Sequence, residues 1–249
     1  MRITEILAKS RTSTVKIPKN NIDEFLSKKC PIEFNSPFKI YRGIRNERSL
    51  LYGNSKLFKR TSVNTKNYYT LLMDYILPKW KIYPKRSYSF ICSSDMIDCS
   101  AYGKIYQVFP VGDPIIGICP DGDLWWSFEK SNNIDSLGEF SSLFYDLNVC
   151  FGTNFKDDLP ILRSEIRKLD IRWKNYKLHP KNDLEFKYIF EIIDQYISSS
   201  NHYNSFTAVL DAMLDPNKNK FKVKKLSEIK NFPGNNEIWF SGPAYFKKL

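Results

Sequence analysis

Apolar and polar positions along the chain switch between two periods, and the switches mark its elements. Ile22-Asp23-Glu24-Phe25-Leu26 has apolar residues at helical spacing behind Asn20-Asn21, with Glu24 placed to complete a capping box. Residues 1–36 therefore read as an N-terminal helical segment. Positions 38–43 alternate as a strand that stops at Gly43, and 59–65 reads as a polar loop. Between Asn67 and Leu77, the residues Tyr68, Leu71, Leu72, Tyr75 and Ile76 return to helical spacing, and Pro78 ends the helix. Predicted strands follow closely at 86–93, 106–109, 115–119 and 124–128, the last after an Asp121-Gly122-Asp123 turn. Such short connections predict antiparallel pairing, because a parallel crossover needs a dozen or more residues.

From about 156 to 214 the pattern turns helical. Leu162, Ile166 and Leu169 form one stripe. Tyr188, Ile189, Ile192, Ile193, Tyr196 and Ile197 form a second, behind the capping pair Asn182 and Glu185, and 205–214 is a third helix. This block predicts a helical insertion at 156–214 within a single domain spanning 1–249. After Pro216, Lys218, Lys220, Lys222 and Lys224 alternate with residues that include Phe221 and Val223, which predicts a strand with one cationic face.

Composition narrows the class. A chain of 249 residues suits one large domain, and 42% hydrophobic with 15% aromatic residues supplies a core and excludes global disorder. An excess of 38 Lys and Arg over 27 Asp and Glu gives +11, which favours an anionic partner or simply a solvated basic surface. The five cysteines (Cys30, Cys92, Cys99, Cys119 and Cys150) show no C-x-x-C spacing, so a reducing cytoplasm fits better than a disulfide framework. Neither a secretory leader nor a run of about 20 apolar residues is expected. His179 and His202 have no cysteine at ligand spacing, so no metal site is expected, and no phosphate-loop, dinucleotide or nucleophile-elbow motif occurs.

Three short stretches carry candidate chemistry. Tyr41-Arg42-Gly43 offers a forked, permanently charged donor at a strand end. Arg86-Ser87-Tyr88-Ser89-Phe90 sets two hydroxyls on one predicted face. Asn235-Asn236-Glu237-Ile238-Trp239-Phe240 places a carboxylate where a polar loop meets an apolar strand. Singly they read as a surface arginine, an ordinary edge strand and a solvated glutamate. In this order they resemble the ADP-ribosyltransferases of the arginine–serine–glutamate class, which carry an aromatic-Arg-Gly strand, a Ser-x-Ser strand and a late strand headed by Glu. Residues 60–67 and 101–110 are similar to stretches of phage-encoded members. The resemblance covers roughly 36–130 and 220–249 and leaves out the helical middle.

The resemblance implies an α+β fold: a split antiparallel β-sandwich of the ADP-ribosyltransferase type with a helical insertion. It implies NAD as substrate. Arg42, flanked by Tyr41 and Gly43, would hold the phosphates or the nicotinamide ribose. Ser87 and Ser89 would order the strand facing Glu237, and Phe90 would pack on the nicotinamide ring. Glu237 would be the catalytic residue, accepting the ribose 2′-hydroxyl and stabilising an oxocarbenium-like charge. Asn235 takes the place, two residues earlier, of a second carboxylate. An amide positions an acceptor but is no general base, which disfavours arginine acceptors. The implied activity is mono-ADP-ribosyl transfer from NAD to a protein or nucleic acid, releasing nicotinamide without a metal, in the manner of a phage effector in host cytoplasm. The alternatives are an NAD glycohydrolase, or a non-catalytic basic module on the same fold. In the latter, the lysines of 218–225 would bind a nucleic-acid backbone and Phe221 would stack a base; the same lysines also suit a guarded sheet edge.

Overall fold

The computed structural model describes residues 21–62, 66–129, 156–178 and 202–249, with single positions 145, 187, 188 and 191 between them. The segment 1–20, Cys150, His179, the pair Asn182–Glu185 and the stripe from Ile189 to Ile197 lie outside the described residues. In chain order the elements are helices α1 (Ile22–Lys29) and α2 (Pro31–Phe34), strands β1 (Tyr41–Ile44) and β2 (Leu50–Asn54), helix α3 (Asn67–Tyr75), strand β3 (Phe90–Ser93) and helix α4 (Met96–Ser100). Strands β4 (Lys104–Pro110) and β5 (Ile115–Ile118) precede helices α5 (Trp126–Glu129), α6 (Leu159–Leu178) and α7 (Phe206–Met213). Strands β6 (Lys222–Lys225), β7 (Glu237–Phe240) and β8 (Pro243–Lys248) complete an α+β chain.

Contacts divide the chain into two compact units. The first falls within Met1–Asn64, Ile82–Leu124 and Phe221–Leu249, and the second within Thr65–Lys81 and Trp125–Lys220. The first unit holds all eight strands in one sheet, ordered β2-β8-β4-β1-β3-β7-β5-β6, with every pair antiparallel. One join is weak. Strands β1 and β3 share only the pair Tyr41↔Ser93, whereas the other neighbours share three to five.

The sheet bends at that join. Strands β3 and β8 are three places apart, about 14 Å in a flat sheet, yet the rings of Phe90 and Phe246 lie 5.1 Å apart. The two halves therefore face each other across one apolar core. Ile40, Ile44, Leu51, Val108 and Phe246 come from one half; Phe90, Cys92, Ile118, Ile238 and Phe240 come from the other. Alternation then fixes which side chains look inward and which outward. On β1 and the residue just before it, the inward set is Ile40, Arg42 and Ile44. On β3 and β7 the inward residues are Phe90, Cys92, Ile238 and Phe240, which leaves Ser93, Glu237 and Trp239 facing outward. Helix α1 covers the outer side of the first half, packing Ile22 and Leu26 on Leu50 and Phe109, with Phe25 edge-on to Tyr245.

In the second unit, Leu162, Ile166 and Leu169 are buried, as their spacing predicts. Helices α6 and α7 pack together through Trp173 and Phe206, whose centroids are 6.1 Å apart. Asp170 accepts bonds from both the N–H and the hydroxyl of Thr207, each 2.8 Å.

Several local expectations change. Residues 86–88 form a 3-10 turn, and the strand begins only at Phe90. The Ser89 hydroxyl donates to the Lys85 carbonyl at 2.7 Å, so a side chain competes there with the sheet ladder. The apolar run after Asp123 turns into α5 instead of a strand, because a short apolar run has no decisive period. Asn21 makes no side-chain cap bond, and Glu24 pairs instead with Lys28 one turn on. The lysine alternation is a strand only over Lys222–Lys225. Lys220 has φ +58 in the preceding turn, where Asn219 bonds back to Asp215. Phe221 is 5% exposed and edge-on to Trp239, so it presents no face for a base.

Candidate active site

The three motif-bearing strands are far apart in sequence but consecutive in the sheet, as β1-β3-β7. Tyr41 lies opposite Ser93, and Ser93 lies opposite Glu237. Directly opposed residues share a face, so these three side chains form one outward row.

Backbone bonds on both sides fix Glu237. Its N–H donates to the Asp121 carbonyl at 2.8 Å, and its carbonyl accepts from Cys119 N–H at 2.9 Å. The loop before it is tied to β3. Asn236 N–H donates to the Ser94 hydroxyl at 2.8 Å, Ser94 N–H donates to the Asn236 carbonyl at 3.0 Å, and the Ser94 hydroxyl donates to Gly234 at 2.9 Å. Asn236 Nδ2 donates to the Cys119 carbonyl at 2.8 Å.

The carboxylate faces a guanidinium. Arg86 Nη1 donates to Glu237 Oε1 at 2.5 Å, and the Cys119 thiol points at the same oxygen from 3.9 Å. Among the described residues no hydrogen bond reaches Oε2, on a residue that is 8% exposed. Arg86, 4% exposed, lies over the Trp239 ring at 5.3 Å. That indole is fixed in turn. Its Nε1 donates to the Pro84 carbonyl at 2.8 Å, Tyr83 stacks on it at 6.0 Å and 18°, and Gly117 lies opposite on β5. Burial pulls the Arg86 guanidinium down, but the Glu237 carboxylate, with Cys119 and Asp123, outweighs it and holds the guanidinium above its ordinary value.

Asp123 acts electrostatically on Arg86, and Glu237 acts on Tyr102. Burial pushes the Tyr102 phenol up, followed by the charges of Asp123, Glu237 and Asp98. Helix α4 reaches the site because β1 presents Gly43 to it. A Cβ there would sit 2.1 Å from the Cys99 carbonyl oxygen and 2.8 Å from Tyr102 Cβ.

The other residues named from sequence fall elsewhere. Arg42 is 4% exposed, lies 5.8 Å from the Phe90 ring centroid, and donates to the Ile91 carbonyl, so it crosses the weak β1–β3 join. Arg42 and Glu237 alternate onto opposite faces of the sheet, though both act electrostatically on the Cys92 thiol, which burial pushes up to about 12. Ser87 is buried, and its carbonyl accepts from Arg60 N–H at 2.7 Å. Ser89 is buried with its hydroxyl 2.9 Å from that of Ser241. The Phe90 ring belongs to the core, against Phe240 and Phe246. Asn235 is exposed at the mouth of the row, where Oδ1 accepts from the Ser93 hydroxyl at 3.4 Å.

Sequence reasoning missed Arg86 as the partner of Glu237. The residue stood next to Ser87 in the motif, but nothing local reveals a pairing across 151 residues. Among the described residues no group of three or more His, Cys, Asp or Glu is arranged to hold a metal ion, and no helix is long and apolar enough to cross a membrane. Comparison with protein-family models, curated proteins and solved structures finds no match.

Proposed function

We propose that this protein cleaves the nicotinamide–ribose bond of NAD at Glu237 and transfers ADP-ribose to a macromolecular acceptor, a protein or nucleic acid. The observation that carries the proposal is the outward row Tyr41–Ser93–Glu237 on three consecutive strands, ending in a carboxylate whose Oε2 is unengaged among the described residues. That oxygen suits the ribose 2′-hydroxyl as a hydrogen-bond acceptor. The fit is to the ribose end of NAD. The guanidinium of Arg42 is committed to a backbone carbonyl on the inner face, which leaves it poorly placed for the pyrophosphate.

In this account NAD supplies a cationic nicotinamide leaving group. Glu237 holds the ribose hydroxyl and offsets positive charge as the C–N bond breaks and its electron pair departs with nicotinamide. The acceptor's lone pair forms the new bond to the same carbon, and its proton goes to solvent. Asn235 stands at the exposed end of the row, where its amide can orient the acceptor. Tyr41 and Tyr102 lie on the same outer side and would flank the ring.

The test is nicotinamide release from NAD by wild type and by Glu237→Gln. Release lost with the substitution supports the reading, and equal release in both removes Glu237 from the chemistry. A second reading, a basic module that binds nucleic acid without turnover, draws support from Lys222, Lys224 and Lys225. All three are exposed, and no side-chain ion pair forms on any of them among the described residues. It predicts salt-sensitive binding with no release of nicotinamide.

A further inference from the structure

We infer that Arg86 is a positioning residue for Glu237: it fixes one carboxylate oxygen so that the other is presented outward, and the face of Trp239 holds Arg86 in place. The inference rests on the proposed NAD reading and adds to it a residue that the three motif elements leave without a role.

The geometry supports action through Glu237 rather than by direct contact with a ligand. At 4% exposure Arg86 has almost no surface with which to touch a ligand, whereas the Glu237 side chain is 11% exposed. The guanidinium reaches Oε1, the oxygen also approached by Cys119, and leaves Oε2 as the outward acceptor. A carboxylate on a strand has several rotamers available, and a charge-assisted bond to a fixed donor selects one. The donor is fixed because the cation lies 5.3 Å from an indole that is 0% exposed, bonded at Nε1 and stacked by Tyr83. Opposite, Gly117 gives the indole its room: a Cβ there would meet Trp239 Cε2 at 2.2 Å. The chain Gly117–Trp239–Arg86–Glu237 thus carries orientation from the sheet to the carboxylate.

A double-mutant cycle tests this. Nicotinamide release per folded molecule is measured for wild type, Arg86→Met, Glu237→Gln and the double variant, with Arg86→Lys as the conservative variant. Arg86→Met lowers kcat roughly 10- to 100-fold while KM for NAD changes less than about 3-fold, the loss expected when a reacting group is misplaced. Arg86→Lys recovers part of that loss. In the Glu237→Gln background the same Arg86→Met change costs less than about 2-fold, because the group it positions is already gone. Losses that multiply across the two sites would overturn the inference and leave Arg86 a structural residue.

Melting temperatures of Arg86→Met, Glu237→Leu and the double variant read the pair without turnover. Arg86→Met lowers Tm at least roughly 5 °C less in the Glu237→Leu background than alone. Additive shifts in Tm would overturn the inference whether or not NAD is turned over. A wild type that releases no nicotinamide but shows the thermal coupling would defeat the NAD reading and keep the pairing of Arg86 with Glu237.

Discussion

Replacing Gly117 by Ala puts one methyl group where the structure has no space. The added carbon would lie 2.2 Å from Cε2, 2.3 Å from Cζ2 and 2.7 Å from Cδ2 of Trp239, so the indole must move by more than about 1 Å to restore ordinary contact. Each direction of retreat meets a neighbour. Tyr83 stacks on the ring at 6.0 Å, Phe221 meets it edge-on at 6.4 Å, Arg86 lies over it at 5.3 Å, and Nε1 is bonded to Pro84. Overpacking a closed site costs about 1–3 kcal/mol, and the upper end applies where no flexible chain end can yield. Against this, Gly→Ala removes freedom from the unfolded chain, worth about 0.4–1 kcal/mol. The net loss is about 2 kcal/mol, or a Tm roughly 4–8 °C lower for a chain of this size. Differential scanning calorimetry at one protein concentration measures it. A Tm equal to or above that of wild type would refute the packing described around Trp239 and the support it lends Arg86.

Three further outcomes follow from single contacts. Glu33 is 0% exposed; burial, partly offset by Lys39 and by a backbone bond from Ile40, pushes its carboxyl up to about 8. An acid whose pKa is raised on folding binds more protons in the native state. Glu33 therefore costs nothing below about pH 4.5, and its penalty grows up to pH 8 with a slope no steeper than about 1.4 kcal/mol per unit. Glu33→Gln should gain Tm over wild type steadily between pH 5 and pH 8, and parallel curves would contradict this. Gly43→Ala drives a Cβ into the Cys99 carbonyl oxygen at 2.1 Å, so helix α4 must shift. The expected result is a loss of at least about 2 kcal/mol in urea unfolding, and an unchanged midpoint would count against the placement of α4. Ser205 caps α7 through a 3.1 Å bond from Ala208 N–H, so Ser205→Ala should cost about 1 kcal/mol in the same assay; no loss would mean the cap is not formed in solution.

Much of the scaffold was legible because burial imposes a period. The stripe Leu162, Ile166, Leu169 is buried on α6, and the helix begun at Asn67 stops before Pro78. The strands do pair antiparallel, but not with the neighbours that close spacing suggests: β3, β4 and β5 each pair with strands far away in sequence. Strand β2 was not legible, because in Leu50-Leu51-Tyr52-Gly53-Asn54 a pair of leucines buried on opposite faces erases the alternation. Period and spacing could not show the fold-back of the sheet, since it depends on how few residues β1 and β3 share; a split sandwich entered only as an implication of the resemblance. The inward face of Arg42 could have been read from sequence: it falls in step with Ile40 and Ile44, the same alternation that builds the core. The Arg86–Glu237 pair could not, because propensity and period say nothing about which of 38 cations meets a given carboxylate.

The claim on which the function depends is that Glu237 acts on NAD. Incubating the purified chain with NAD labelled in the nicotinamide ring, and counting free nicotinamide for wild type and Glu237→Gln at equal folded concentration, tests it directly. The account predicts release by wild type and a loss of at least roughly 100-fold in the variant. Equal release by the two proteins, or none by a folded wild type, would contradict it.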